Sequence, residues 1–518
     1  MSLSEQVEFC AQPAAAVKKG HEYSFPHMMR LDWDVLLQVM DSLGYGDFSR
    51  MSRTCQTLLR RAPRKLLSRA AYNAISIQSF PHFVSFCLFM LGGRHDGFQY
   101  LTNLVLRPWN EGCDDPEFGP LLATLLARAT ELEHLTLDDC EILELDRRVC
   151  RALASMPKLA SLQVGGVIDR SFKGFKSLRV PALTEVKASF YYDDDVVDAL
   201  PVFKPFRNTL RSLDLNIVNL CKTRGVRYPN VHTLSISMCL DVRPSLLAKA
   251  FPALQCLYFH TTLAELQTDD DIDEERWDNI DDQEPPSPRW SSLRAFHGSI
   301  LDLYALGLRC TVDYVGAAGP ALSSAVDERR LSAALADVRP SSLCLQLRVP
   351  EFNLSSLSEC LAPAKDRLTE LQLGLEFKGD MHEYPTHEIN DMLKSLSAYN
   401  LRVLEVNVTW EASPERRTRA TIRRVLFDEG SDTPWLGPAD EEEDPRPAEL
   451  DLEAMAYRAM KHSESLRFIS ISDRRVRSAV FEVRDTGCPE SVNSKTLFQL
   501  SGASASWKEF CSSPIFTA

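Results

Sequence analysis

A short phrase, apolar-x-x-apolar-x-apolar, returns from Leu101 to Ile471 and restricts the fold more than any other feature. It stands at Leu101/Leu104/Leu106, Leu132/Leu135/Leu137, Leu159/Leu162/Val164, Leu210/Leu213/Leu215 and Val231/Leu234/Ile236. Further copies are Leu254/Leu257/Phe259, Leu368/Leu371/Leu373, Leu401/Leu404/Val406 and Leu466/Ile469/Ile471. Weaker echoes lie at Leu183/Val186 and Leu293/Phe296, and SSLCLQL (341–347) is an out-of-frame candidate. Counting the weak copy at Leu183, the first copies follow one another at 31, 27, 24, 27, 21 and 23 residues. The end of each phrase alternates apolar and polar residues, as a half-buried strand does. Between copies run helical patterns such as Leu121, Leu122, Leu125, Leu126, Ala129 and again Val149, Leu153, Met156.

One strand-and-helix unit buries too little apolar surface to offset the entropy of ordering it, so such units must stack and share faces. The period and the phrase resemble leucine-rich repeats, whose units run about 20–29 residues. Two copies extend the resemblance. LEHLTLDDCEI continues to Cys140 and Ile142, and VHTLSISMC ends at Cys239, where such repeats place an inward-turned Asn or Cys. One match would carry no weight, because leucine is common in any α/β protein. Nine at near-regular spacing favour an α/β repeat solenoid.

Two acidic stretches interrupt the array. Residues 269–284 (DDDIDEERWDNIDDQE) hold ten carboxylates against one arginine and are followed by PPSP. Like charges repel and proline ends helices, so a solvated loop over 267–289 is expected. A second acidic loop is expected over 428–449. Each is read as an insertion that raises solubility; the alternatives are a docking strip for a basic partner or a phosphorylation target around Ser287-Pro288.

Residues 31–59 lack the phrase. Val35, Leu36, Val39, Met40 and Leu43 share one helical face, with Asp32 or Asp34 as its cap and Gly44 as its stop. Asp47 can cap a second helix whose face is Phe48, Met51, Cys55, Leu58 and Leu59, and Pro63 opens a third segment over 64–74. About 45 residues cannot bury all these stripes, so packing on the repeats or on a partner is expected.

This stretch resembles an F-box. It follows the family pattern at Leu31, Asp34, Val35, Leu36, Leu37, Val39, Leu43, Asp47, Phe48, Met51, Ser52, Thr54 and Cys55. Asp32 stands where proline is usual, Met40 where Phe or Leu is usual, and Leu58-Leu59 where a tryptophan often follows the cysteine. The resemblance covers about 45 of 518 residues, and an F-box ahead of leucine-rich repeats is itself a family architecture. It implies a substrate receptor of an SCF-type cullin–RING ubiquitin ligase, in which the module docks on the Skp adaptor, and through it a cullin, while the repeats bind an unidentified target. Adaptor contacts would fall on Leu31, Asp32, Val35, Leu36, Val39, Met40, Leu43, Phe48 and Met51. The alternative is a leucine-rich-repeat scaffold with no ubiquitin-ligase role, in which the same positions are core of a capping module.

The expected fold is therefore α/β: a three-helix F-box-like module (26–75) and a linking helix (76–98), then an irregular leucine-rich-repeat solenoid (99–475). A disordered N-terminus (1–25) and a tail (476–518) are expected to flank them.

Composition narrows the function. With 58 Lys+Arg against 72 Asp+Glu the net charge is −14, which disfavours a broad nucleic-acid or anionic-membrane surface. The apolar run 83–91 (FVSFCLFML) is too short to span a bilayer and reads as one buried helix. The first twenty residues lack the pattern of a secretory signal, so the sequons at Asn353 and Asn407 carry no meaning. Fourteen cysteines include no CxxC pair, which suggests free thiols in a reducing compartment, cytoplasmic and/or nuclear.

No enzyme, cofactor or metal is expected. HEYPTH (382–387) spaces its histidines five apart around Pro385, and GLEFKGD (374–380) lacks the lysine of a phosphate loop. No G-x-S-x-G is present. The basic run LLRRAPRKLLSR (58–69) reads as the wet faces of two helices.

Overall fold

The strands form where the phrase stands, because alternation gives them one face to bury and the period brings each copy alongside the last. The computed structural model describes residues 33–43, 75–77, 79–92, 97–107, 117–140, 142–167, 178–190, 199–220, 225–240, 242–261, 268–317, 319–378, 386–411, 452–463, 465–473, 477–483 and 489–491, with single positions between them. The chain divides into two units, Met1–Arg69 and Ala70–Ala518. In the first, helix α1 (Trp33–Ser42) is described, together with isolated helical positions such as Asp47, Arg50 and Met51.

The second unit is built on one sheet. Its strands are β1 (Ile75–Ile77), β2 (Asn103–Leu106), β3 (His134–Leu137), β4 (Ser161–Val167), β5 (Glu185–Phe190), β6 (Ser212–Asn219), β7 (Thr233–Leu240) and β8 (Cys256–His260). They continue as β9 (Ser292–Gly298), β10 (Thr311–Ala317), β11 (Ser342–Val349), β12 (Glu370–Lys378), β13 (Val403–Glu411), β14 (Phe468–Asp473), β15 (Arg477–Val483) and β16 (Pro489–Ser491). Strand order equals chain order throughout. The pairs from β1 to β14 are parallel, while β14–β15 and β15–β16 are antiparallel. Helices α2 (Phe80–Gly92), α3 (Phe118–Arg128), α4 (Ile142–Leu145), α5 (Arg147–Ala154), α6 (Pro244–Ala250), α7 (Asp269–Asp282), α8 (Ile300–Leu306), α9 (Ala325–Val338), α10 (Leu357–Leu361), α11 (Thr386–Leu396) and α12 (Leu452–His462) fill most of the connections between strands. This is a repeat-like α/β solenoid.

The phrase forms the core of the sheet. All twenty-seven residues of its nine full copies are buried, none more than 3% exposed. Its fourth position runs in register across the strands as Leu104, Leu135, Leu162, Val186, Leu213, Leu234 and Leu257. A backbone spine accompanies it: the amides of Glu133 and His134 both donate to the Thr102 carbonyl, at 2.8 and 3.0 Å. The same fork recurs from Ala160/Ser161 to Glu133 and, at the far end, from Arg467/Phe468 to Arg402. Cys140 and Cys239 are buried as the repeat pattern requires, and the Cys140 thiol donates to the Gly166 carbonyl at 2.9 Å.

The array continues through its weakest stretch. Phe296 pairs with Leu257 and Val315, and Leu343 with Val315 and Leu371, so β9, β10 and β11 carry the register without a break. The out-of-frame candidate resolves as Pro340/Leu343/Leu345, all buried. One copy was not legible, Val312/Val315/Ala317, because its positions hold small or branched residues in place of leucine. In β9 the sixth position is Gly298, where any Cβ would collide with the Phe259 carbonyl.

Several expected boundaries move. The sheet starts at Ile75, inside the expected helical module, and reaches Ser491, inside the expected tail. The run 83–91 lies in α2, which buries only one stripe, Phe83, Cys87 and Met90. Leu88 and Phe89 are 48% and 46% exposed.

The larger correction concerns 267–289, where α7 replaces the expected solvated loop. Thr268 and Asp271 form a reciprocal capping box, and Asp269, Asp270 and Asp271 occupy the first turn, where the helix dipole favours negative charge. The buried face is Ile272, Arg276, Asn279, Ile280 and Gln283, a helical spacing written mostly in polar residues. Ion pairs satisfy it. Arg276 reaches Asp337 of α9 at 2.5 Å, and Arg330 of α9 reaches Asp269 at 2.9 Å. Asn279 and Gln283 donate to the carbonyls of Ala305 and Gly307. The second acidic stretch, 428–449, lies outside the described residues.

Candidate functional site: the open face of the sheet

Phrase positions 1, 4 and 6 point into the core, so positions 3, 5 and 7 line the opposite face of the sheet. From β7 to β12 the fifth-position residues are Ser235, Tyr258, His297, Gly316, Cys344 and Gln372, set side by side by the register. None carries a permanent charge.

At the centre is an aromatic platform. Tyr258 and His297 stack with ring centroids 4.3 Å apart and 3° between planes, and Tyr314 tilts against His297 at 5.2 Å. Gly316 makes this approach possible, since a Cβ there would sit 2.9 Å from the Tyr314 ring. Gly374 likewise leaves room for the Gln346 side chain. Burial, assisted by nearby His260, lowers His297 to about 4, and burial also lowers His260. The platform is therefore uncharged at neutral pH. Behind it, Asp302 of α8 accepts hydrogen bonds from the Ser299 and Thr261 backbone amides, which ties the end of β8 to the next helix.

Carboxylates flank the platform on both sides. On β6, burial raises the Asp214 carboxyl, against opposing contributions from the Ser235 hydroxyl and Lys187. On β13, burial and the charge of Glu370 raise Glu405. Glu405 lies in register with Gln372, whose residue is 8% exposed and whose Oε1 has no hydrogen-bond partner among the described residues.

The described residues of this face are thus an uncharged aromatic and amide centre between raised carboxyls. Among the described residues there is no cluster of three metal-ligating side chains and no helix long and apolar enough to cross a membrane.

The residues expected to meet the adaptor are only partly described. In α1, Val35 and Val39 are 41% and 43% exposed, four residues apart on one helix. Leu36, Leu43 and Met51 are half-buried, and Met40 is helical in its backbone. Leu31, Asp32 and Phe48 lie outside the described residues. The sequence places target recognition on the strand surface and loops of the repeats but names no residue there. Tyr258 and Gln372 sit at the x positions of legible copies, a signal that could have found them. His297 holds the same position in the weaker echo at Leu293/Phe296, and Tyr314 belongs to the one copy that leucine spacing does not reveal.

No family model matches the chain, and no curated protein matches it. Among solved structures it is similar to the crystal structure of the Rad7 and Elc1 complex in yeast. Identity is 14%, with 74% of this chain and 96% of that chain covered and a TM-score of 0.32.

Proposed function

We propose that this chain is the substrate-recognition adaptor of an SCF-type cullin–RING ubiquitin ligase, acting in the cytoplasm and/or nucleus. The N-terminal module docks on the Skp adaptor, and through it on a cullin, and the open face of the sheet holds the target protein. The chain itself catalyses nothing and takes no cofactor, nucleic acid or membrane as partner. The observation that carries the reading is the exposed pair Val35/Val39 on α1. Two β-branched apolar residues at i, i+4 cost a helix propensity and leave apolar surface in water unless something covers them.

The test is binding of purified Skp adaptor to the full chain, by calorimetry, beside the double substitution Val35→Asp, Val39→Asp. Micromolar or tighter binding to the wild type, lost in the double variant, supports the ligase role. No binding by folded wild type sinks it and leaves a repeat scaffold without a ubiquitin-ligase role.

A further inference from the structure

The open face contains acceptors that lack donors. Gln372 Oε1 is buried with no hydrogen bond among the described residues, and Glu405 stands beside it on the next strand. Glu370 precedes Gln372 by two residues on β12, hence on the same face. Neither carboxylate has a Lys or Arg within salt-bridge reach among the described residues. Other carboxylates of this unit do: Glu376 pairs with Arg348 at 3.4 Å, Asp313 with Arg367 at 2.6 Å, and Asp337 with Arg276 at 2.5 Å. A buried acceptor beside two like charges is unfavourable alone, and a cationic donor would relieve both defects.

We propose that Gln372, Glu405 and Glu370 form the seat for an arginine or lysine side chain presented by the target protein. Resting on the proposed target-binding role of this face, the assignment adds the chemistry of the bound segment: a basic residue and, a few positions along, an apolar one. The basic head meets the Glu405 and Glu370 carboxylates, and the Gln372 side chain turns outward to meet it, because its Oε1 is sealed from solvent in the free chain. The apolar neighbour lies on the Tyr258–His297–Tyr314 platform, two to four strands away, or about 10–20 Å at ordinary strand spacing. The platform rings are already packed on one another, so little ordering accompanies binding.

The test selects random twelve-residue peptides displayed on phage against the full chain, then measures the selected peptides by fluorescence anisotropy. The expected sequences share an Arg or Lys near an aromatic or aliphatic residue. Replacing that arginine by citrulline, or Glu405 by Gln in the protein, weakens binding at least tenfold, while the melting temperature of Glu405→Gln does not fall. Tyr258→Ala weakens binding as well. Peptides lost on Tyr258→Ala but indifferent to Glu405→Gln would keep the face as the binding surface and overturn the basic-residue assignment. Peptides indifferent to both would overturn the assignment and the target-binding reading of this face together. A Glu405→Gln protein that melts lower than wild type would mark the cluster as structural and likewise overturn the basic-residue assignment.

Discussion

Two sets of charged residues sit on opposite sides of the same sheet and are handled differently. On the helix side, α7 brings Arg276 against Asp337 and receives Arg330 at Asp269, so each buried guanidinium meets a carboxylate. The Arg276 guanidinium also lies over the Tyr304 ring at 4.3 Å. On the open face, burial pushes groups toward their neutral forms, His297 downward and Asp214 and Glu405 upward. Charge that serves the fold is paired within the chain. The open face also holds a pair, Arg348 with Glu376 at 3.4 Å, but Glu405 and Glu370 have no Lys or Arg within reach among the described residues, which suits a molecule that arrives later.

The contrast is broken most severely from the helix side. Asp337→Ala would leave Arg276, 8% exposed at its side chain, without its carboxylate, with Arg309 losing its contact to the same residue. The expected loss is about 3–5 kcal/mol, read as a lower urea midpoint. An unchanged midpoint would show that the pair contributes nothing to holding α7.

A second effect comes from acid. His297 binds its proton at about 4 in the folded chain and near 6.5 when unfolded, so between those values the unfolded state holds more protons. Stability from this group is complete above pH 6.5 and is lost as pH falls toward 4, by roughly 3 kcal/mol if the whole shift is realised. His297→Phe, which keeps a ring in the stack, should flatten the urea midpoint over that window. A variant as acid-sensitive as the wild type would exclude His297 as the cause.

The smallest effect has the opposite sign. The Glu405 carboxyl is raised, so the folded chain holds its proton more tightly and stability falls as pH rises from the ordinary carboxylate range. Glu405→Gln should therefore be neutral or slightly stabilising at pH 7, by a few tenths of a kcal/mol to about 1. It should change nothing at pH 3, where the glutamate is already protonated.

Much of the sheet was legible because leucine at fixed spacing has one physical use, filling a shared core. Every residue of the nine full copies is buried, and the inward cysteines follow from the same register. Legibility failed where the core position holds something smaller, as at Gly298 or Val312/Val315/Ala317, since a close neighbour there fills the space. It failed again at α7. Its inner stripe of Arg276, Asn279 and Gln283 reads as surface until Asp337 and the carbonyls of Ala305 and Gly307 are beside it. On the candidate site, the exposed Val35/Val39 pair was already visible as helical spacing, whereas the open-face cluster was not.

The sequence by itself determined the repeat, its strand positions and the apolar column they share, because periodicity acts between residues close along the chain. Only the tertiary structure decided that an acidic run becomes a docked helix, and that Tyr258, His297 and Tyr314 meet. It also decided that Gln372 and Glu405 lie side by side. These outcomes depend on residues 17 to 61 positions apart, brought to adjacent strands or helices by stacking. The energy of a buried polar group is set by the neighbour it meets there rather than by its own place in the chain.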